Sequence, residues 1–184
     1  MRNVLVVMSG PSGVGKGTIA NIIKEKLNMA LSISCTTRAP RDGEVDGKSY
    51  FFITKQSFEE KIKNNAFLEY SEHFGNYYGT PKDFVFEKLQ DSDVMLEIDV
   101  NGGLDVKKAY PDAVLVMITP PSVEELKKRL IGRGTESLEK IENRISRVSY
   151  ELDKQSAYDY VVVNDDLNVA VEKLCEIINK EKTI

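Results

Sequence analysis

The sequence predicts an α/β protein built on a parallel sheet, and three observations lead to that class. Five short apolar runs, Val4–Met8, Leu31–Ser34, Val94–Ile98, Ala113–Ile118 and Tyr160–Val163, lack the polar alternation of a strand wetted on one side. Such runs belong to strands covered on both faces. Helical patterns over 16–27, 102–109, 122–131 and 167–180 follow most of them, as right-handed crossovers require. A glycine-rich turn joins the first run to the first helix.

That turn reads Gly10-Pro11-Ser12-Gly13-Val14-Gly15-Lys16-Gly17-Thr18. Strand, glycine turn and helix start form an anion cradle. The turn aims backbone N–H groups inward, and the helix dipole adds positive charge at the same point. Lys16 adds a full charge for the outer phosphates. The motif is a phosphate-binding loop in its proper context. Its usual Ser or Thr after the lysine is replaced by Gly17, which moves the hydroxyl expected to meet magnesium to Thr18.

Residues 34–80 interrupt the α/β rhythm. They are rich in Thr, Gly, Tyr and Phe and read as short strands plus one helix near 55–64. At their start, Arg38 and Arg41 stand three apart around Pro40 and before Gly43, in a turn. Two planar guanidiniums on one loop suit a phosphate. In isolation they read first as solvated surface arginines, but a phosphate-binding loop elsewhere gives reason for a second phosphate site.

Further along, Leu96-Glu97-Ile98-Asp99 ends a strand with two acids on one face. Residues 125–149 are dense in Lys, Arg and Glu and read as helical apart from Gly132 and Gly134, with Arg133 between them. Arg144 and Arg147 share a helix face. Both irregular segments fall where insertions cover a ligand at the carboxyl edge of an open sheet. Asn164-Asp165 after the last strand is a turn expected on local grounds. His73 is the only histidine and lacks a triad partner, so it is not read as an acid–base catalyst.

Whole-chain properties narrow the classes. The 184 residues suffice for one compact domain with insertions. A net charge of −4 gives no global field favouring nucleic acid. Cys35 and Cys175 have no metal-ligand spacing and read as reduced. No run of 18 apolar residues suggests a membrane span, and the early core strand leaves no room for a signal peptide, so a cytoplasmic protein is expected.

The blocks Gly10–Thr18, Ser34–Glu44, Gly75–Pro81, Leu96–Gly102, Arg129–Ser137 and Val162–Asp165 resemble the guanylate kinases along nearly the whole chain. The most specific string is Ser34-Cys-Thr-Thr-Arg-Ala-Pro-Arg-Asp-Gly-Glu44. The resemblance implies a P-loop nucleoside monophosphate kinase fold. Its core would be 1–33, 81–124 and 150–184, with a mixed GMP-binding insertion at 34–80 and a helical lid at 125–149. It implies transfer of the terminal phosphoryl group of ATP to GMP, with Mg²⁺ as cofactor and a role in purine nucleotide metabolism and GMP recycling. ATP and GMP would be the small-molecule partners, with no nucleic acid or membrane partner, in a monomer or homo-oligomer.

By the same resemblance, ATP would be held by Gly10 to Thr18 together with Arg133 and Asn164. The GMP phosphate would meet Arg38, Arg41, Tyr50 and Tyr78, and guanine would meet Ser34, Glu69 and Thr80, with Asp99 and Arg144 nearby. Lys16, Arg41, Arg133 and Arg144 would act on the transferred group, with Arg147 beside them, and Thr18 and Asp99 would face the metal. The family commonly has Asp where Glu97 stands. Glu69 makes chemical sense as a base reader. Guanine offers two adjacent donors that one carboxylate can accept, whereas adenine puts an acceptor in place of the ring N–H. The competing readings are an inactive guanylate-kinase-like binding module, which typically lacks the intact loop seen here, and a kinase for another nucleotide such as AMP, disfavoured by Ser34–Glu44 and Glu69.

Overall fold

A computed structural model describes residues 2–73, 75–132 and 137–183. Five strands form the core sheet: β1 (Leu5–Ser9), β2 (Ala30–Leu31), β7 (Val94–Glu97), β8 (Val114–Thr119) and β9 (Tyr160–Val163). Their order is β2-β7-β1-β8-β9, and every pairing is parallel.

The continuous apolar runs have the expected cause. In and beside β1, Val4, Val6 and Met8 face one hydrophobic cluster, while Leu5 and Val7 face another. The first cluster is closed by α1 (Lys16–Leu27), α5 (Val123–Gly132), α6 (Leu138–Leu152) and α7 (Leu167–Glu181). The second is closed by α3 (Lys82–Asp91) and α4 (Val100–Ala109).

The insertion forms a second sheet of β3 (Cys35–Thr36), β4 (Phe51–Phe52), β5 (Phe67–His73) and β6 (Asn76–Pro81), ordered β4-β3-β6-β5. It is mixed: β3 runs parallel to β4, while β6 is antiparallel to β3 and β5. Phe58 of α2 (Lys55–Lys63) packs between Phe67 and Tyr77, with ring centroids at 4.4 and 5.2 Å, giving the insertion its own aromatic core.

The predicted strand Leu31–Ser34 is shorter in the core sheet, ending at Leu31. Ser32 still donates its N–H to Met95 O, but the Ser34 carbonyl accepts from Phe51 N, so the chain has already turned toward the second sheet. Helix α3 has no counterpart in the predicted pattern. Only Val85 is buried along it and no side chain caps its start, so its amphipathic signal is weak. Helix α4 starts two residues early because Asp99 caps it. Gly132 is the last residue of α5, not a break before it. The segment 125–149 does not coincide with whole elements. Leu126, Leu130, Ile141 and Val148 within it belong to the core cluster, which anchors one side of both helices.

Distant parts of the chain are tied together at Asp93, which is 4% exposed. Its carboxylate accepts from Val4 N at 3.0 Å and pairs with Lys182 Nζ at 2.6 Å. Replacing it leaves a buried donor and a cation without their partner. Asp93→Ala is therefore expected to lower unfolding free energy by about 2–3 kcal/mol in a urea titration, and a loss under about 0.5 kcal/mol, the usual scale of a surface substitution, would show that the pair contributes nothing.

Candidate active site

The sheet places one crevice where its connections diverge. The chain leaves β1 toward β2 on one side and leaves β8 toward β9 on the other, so the carboxyl ends of β1 and β8 border an opening. The segment Gly10–Gly15 fills this edge. A Cβ at Gly10 would lie 2.1 Å from Ile118 O, so only glycine lets the loop pass this close to β8. Gly15 precedes α1 with φ of 99° and offers no side-chain cap, which leaves the first N–H groups of the helix for an anion.

Lys16 Nζ donates to Gly10 O at 2.5 Å and to Pro11 O at 3.2 Å, holding the ammonium against the loop. Burial lowers its pKa, while Glu97, Glu151 and Asp99 oppose the shift. Glu97 reaches over the start of α1, where a Cβ at Gly17 would stand 3.7 Å from each of its carboxylate oxygens. Thr18, one residue on, is exposed.

Two further residues hold the loop. Asn164, 6% exposed, donates its Nδ2 to Val14 O at 2.8 Å, and its own carbonyl accepts from the Arg129 guanidinium at 2.8 Å. The residue expected beside adenine thus braces the loop from behind. Arg144 extends from α6 to Ser12 Oγ at 2.6 Å, joining the basic helix to the loop. Arg147 is exposed on the same helix, and Arg133 lies outside the described residues.

Across the opening, the insertion sheet presents its other face. Adjacent residues alternate sides. Ser34, Tyr50 and Thr80 line the crevice, whereas Cys35, Phe51 and Pro81 line an apolar cavity of about 300 Å³ behind it. Cys35 is not a reactive thiol, because burial raises its pKa to about 11.

Arg38 is held by a two-pronged bond to Glu44 at 2.9 and 2.8 Å and lies 5.5 Å from the Tyr50 ring centre. Glu44 also accepts from Arg41 N at 2.7 Å, so it shapes the turn carrying both arginines. That ordering role is not assigned by the sequence reading, although Glu44 closes its most specific string. The Arg38 guanidinium is stabilised as a cation first by Glu44 and then, after the opposing cost of burial, by the Tyr78 hydroxyl. Tyr50 and Tyr78 meet edge-on at 6.0 Å. Arg41 is exposed. Arg38, Tyr50 and Tyr78 are thus gathered in one cluster.

Deeper in, Glu69 is 7% exposed. Burial is the main reason its pKa rises to about 7, with Asp99 and Asp105 adding to the effect and the Thr80 bond opposing it. Thr80 Oγ1 donates to Glu69 Oε1 at 2.5 Å. A hydroxyl has one proton to donate, so in this arrangement the Thr80 proton is committed to Glu69 and not to a base carbonyl. Ser34, Tyr50, Glu69, Tyr78 and Asp99 share a cavity of about 170 Å³. One Asp99 oxygen caps α4 through Asn101 N and Gly102 N. The other lies 3.6 Å from His73 Nε2, and His73 also meets Ser71 Oγ at 3.0 Å.

A glycine-rich loop carrying Lys16 at the switch point of a parallel sheet, with an arginine–tyrosine cluster on a second sheet, is the architecture of a nucleotide-binding α/β protein. The guanylate kinase family model matches residues 2–181. A guanylate kinase of Clostridium tetani is 50% identical over 182 residues, spanning 98% of this chain and 88% of the relative. One of Bacillus cereus is 51% identical over 180 residues, spanning 96% and 88%. The crystal structure of guanylate kinase from Anaplasma phagocytophilum superposes with a TM-score of 0.79 at 32% identity, covering all of this chain and 88% of that one. The chain belongs to the guanylate kinase family, and its enzymatic function is that of the family.

Proposed function

We propose that the crevice transfers the terminal phosphoryl group of ATP to the phosphate of GMP, giving ADP and GDP. The observation that carries this reading is the pairing of two sites across one opening: the Lys16 loop on the core, and the Arg38–Tyr50–Tyr78 anion site with buried Glu69 on the insertion.

Gly10 to Thr18 hold the ATP phosphates, and Asn164 fixes the loop. GMP enters with its phosphate on Arg38, Arg41, Tyr50 and Tyr78 and its base toward Glu69, Ser34 and Thr80. An oxygen of the GMP phosphate attacks the terminal phosphorus, a new P–O bond forms, and the bond to the ADP oxygen breaks. The attacking oxygen is already anionic, so no base is needed, and His73 has no proton-transfer role. The protein's task is to align two polyanions and neutralise the transferred group. Lys16, Arg41 and Arg144, with Arg133, supply that charge.

Thr18 and Asp99 offer the oxygen donors that suit magnesium. Among the described residues no group of three or more His, Cys, Asp or Glu could hold a metal ion alone. That fits an ion carried mainly by substrate phosphates and water, which needs only one or two protein oxygens. When bound, magnesium would neutralise phosphate charge. A cytoplasmic location belongs to the same reading. No helix among the described residues is long and apolar enough to cross a membrane.

The cationic side chains of the loop and of the insertion gain phosphate contacts only when the crevice is filled. Only such differential affinity can shift a population toward closure. Spin labels at exposed Lys55 and Lys140 should therefore approach when a bisubstrate analogue joining adenosine to guanosine is bound, and not with one joining two adenosines. Identical distance distributions with both analogues would overturn the acceptor assignment.

A further inference from the structure

The cavity of about 300 Å³ behind the insertion sheet shares no lining residue with the crevice. Its apolar body is made by Phe51, Ile53, Pro81 and Phe84. Phe51 and Phe84 meet edge-on, with ring centroids at 5.5 Å. Both rings, like Ile53, are only half-buried, so apolar surface is left open to an occupant. Pockets for small molecules have this character, an apolar lining with a few polar groups, and begin at about this volume.

Charged side chains border the same cavity. Lys61 comes from α2, and Asp83 and Glu87 come from α3, one helical turn apart. Among the described residues the Lys61 ammonium makes no hydrogen bond or ion pair. Asp83 accepts from its neighbour Phe84 N at 2.8 Å and pairs with no cation, whereas Glu87 has Lys88 at 4.0 Å. After burial, the Lys61 charge and then the Asp83 charge are the main influences on the Cys35 thiol, the first lowering its pKa and the second raising it. Both charges therefore lie near the buried wall of the cavity.

We infer that this cavity is a second ligand site, for a free α-amino acid with a large apolar side chain. The apolar part sits among Phe51, Ile53, Pro81 and Phe84, the carboxylate meets Lys61 and the ammonium meets Asp83. The charges without a partner are one cation and one anion, and a zwitterion answers both. A ligand with a single charge leaves the other unanswered, and a purely apolar one desolvates both without compensation.

Such an occupant bears on the crevice. Cys35, Phe51 and Pro81 each directly follow a crevice residue, Ser34, Tyr50 and Thr80, and Cys35 pairs with Phe51 across β3 and β4. Filling the cavity braces these strands against α2 and α3, which lowers the ordering cost of binding on their other face.

Titration calorimetry on the whole chain without nucleotide tests the site. The probes are L-phenylalanine, 3-phenylpropionate, which lacks the ammonium, and phenethylamine, which lacks the carboxylate. L-phenylalanine is expected to bind at least about tenfold more tightly than either fragment. Lys61→Met should weaken L-phenylalanine and 3-phenylpropionate about tenfold and leave phenethylamine unchanged. Asp83→Asn, which keeps an acceptor for Phe84 N, should weaken L-phenylalanine and phenethylamine and spare 3-phenylpropionate. No binding of L-phenylalanine at millimolar concentration, equal binding of the three probes, or indifference to both substitutions would overturn the inference. The coupling is read from kinetics: saturating L-phenylalanine should lower the KM for GMP about twofold or more and leave the KM for ATP unchanged. An unchanged KM for GMP with the cavity filled would overturn the coupling. That readout rests on the acceptor reading above, whereas the calorimetry does not. Binding without turnover of GMP would remove the acceptor reading alone, and turnover without binding would remove the second site alone.

Discussion

Lys16→Ala should remove nearly all turnover while leaving the protein folded. The ammonium is the cation held by the loop itself, donating to Gly10 O and Pro11 O. Phosphoryl transfer depends on charge placed where it develops, and loss of one such preorganised group typically costs about 100- to 1,000-fold in rate. Stability should move little. Burial already lowers the pKa of this lysine, so the folded state gains by discarding a desolvated charge what it loses in two hydrogen bonds. A melting curve within about 3 °C of wild type, beside a steady-state rate below about a hundredth, is the expected pair of results. A folded variant keeping more than about a tenth of the activity, a barrier change under roughly 1.4 kcal/mol, would take the loop out of the chemistry.

Glu69→Gln should weaken GMP by about a hundredfold and leave ATP nearly untouched. The amide accepts through one atom only and turns an N–H₂ group toward a guanine donor, and a polar site built for one base loses heavily when a bond is removed. The pKa of about 7 adds a pH signature. Only ionised Glu69 accepts both guanine donors, so GMP should bind more tightly as pH rises from 6 to 8, by roughly tenfold from this group. The GMP phosphate ionises in part of the same range, and the Gln variant isolates the Glu69 share. Folding stability follows the opposite course. The raised folded-state pKa favours the native state below about 4.5, and that contribution is lost as pH climbs through about 7. Calorimetric titrations of both proteins at several pH values measure the binding effect. Equal pH dependence in the two would remove Glu69 from base recognition.

The sequence reveals what local chemistry or period records. The runs around β1 are apolar on every residue because both faces are covered, and that alone implies a parallel sheet with helices on each side. The phosphate loop is legible because its glycines answer to backbone geometry, as Gly10 does against Ile118 O. Helix α3 leaves little trace, since one buried valine is too little amphipathy to mark ten residues. Contacts between remote segments leave none. Nothing in the run Val161-Val-Val-Asn164 says that its asparagine braces Val14 O, a bond spanning 150 positions. The same holds for the Thr80 proton, which the structure gives to Glu69.

The central claim is that one crevice joins ATP at the Lys16 loop to GMP at the Glu69 pocket. ADP release from ATP, measured with GMP, AMP, CMP and UMP as acceptors at equal concentration, tests it most directly. The account predicts rapid turnover with GMP, at least about a hundredfold slower turnover with the other three, and loss of the GMP signal in Lys16→Ala. Turnover with AMP equal to or above that with GMP, or a GMP signal that survives in Lys16→Ala, would contradict it.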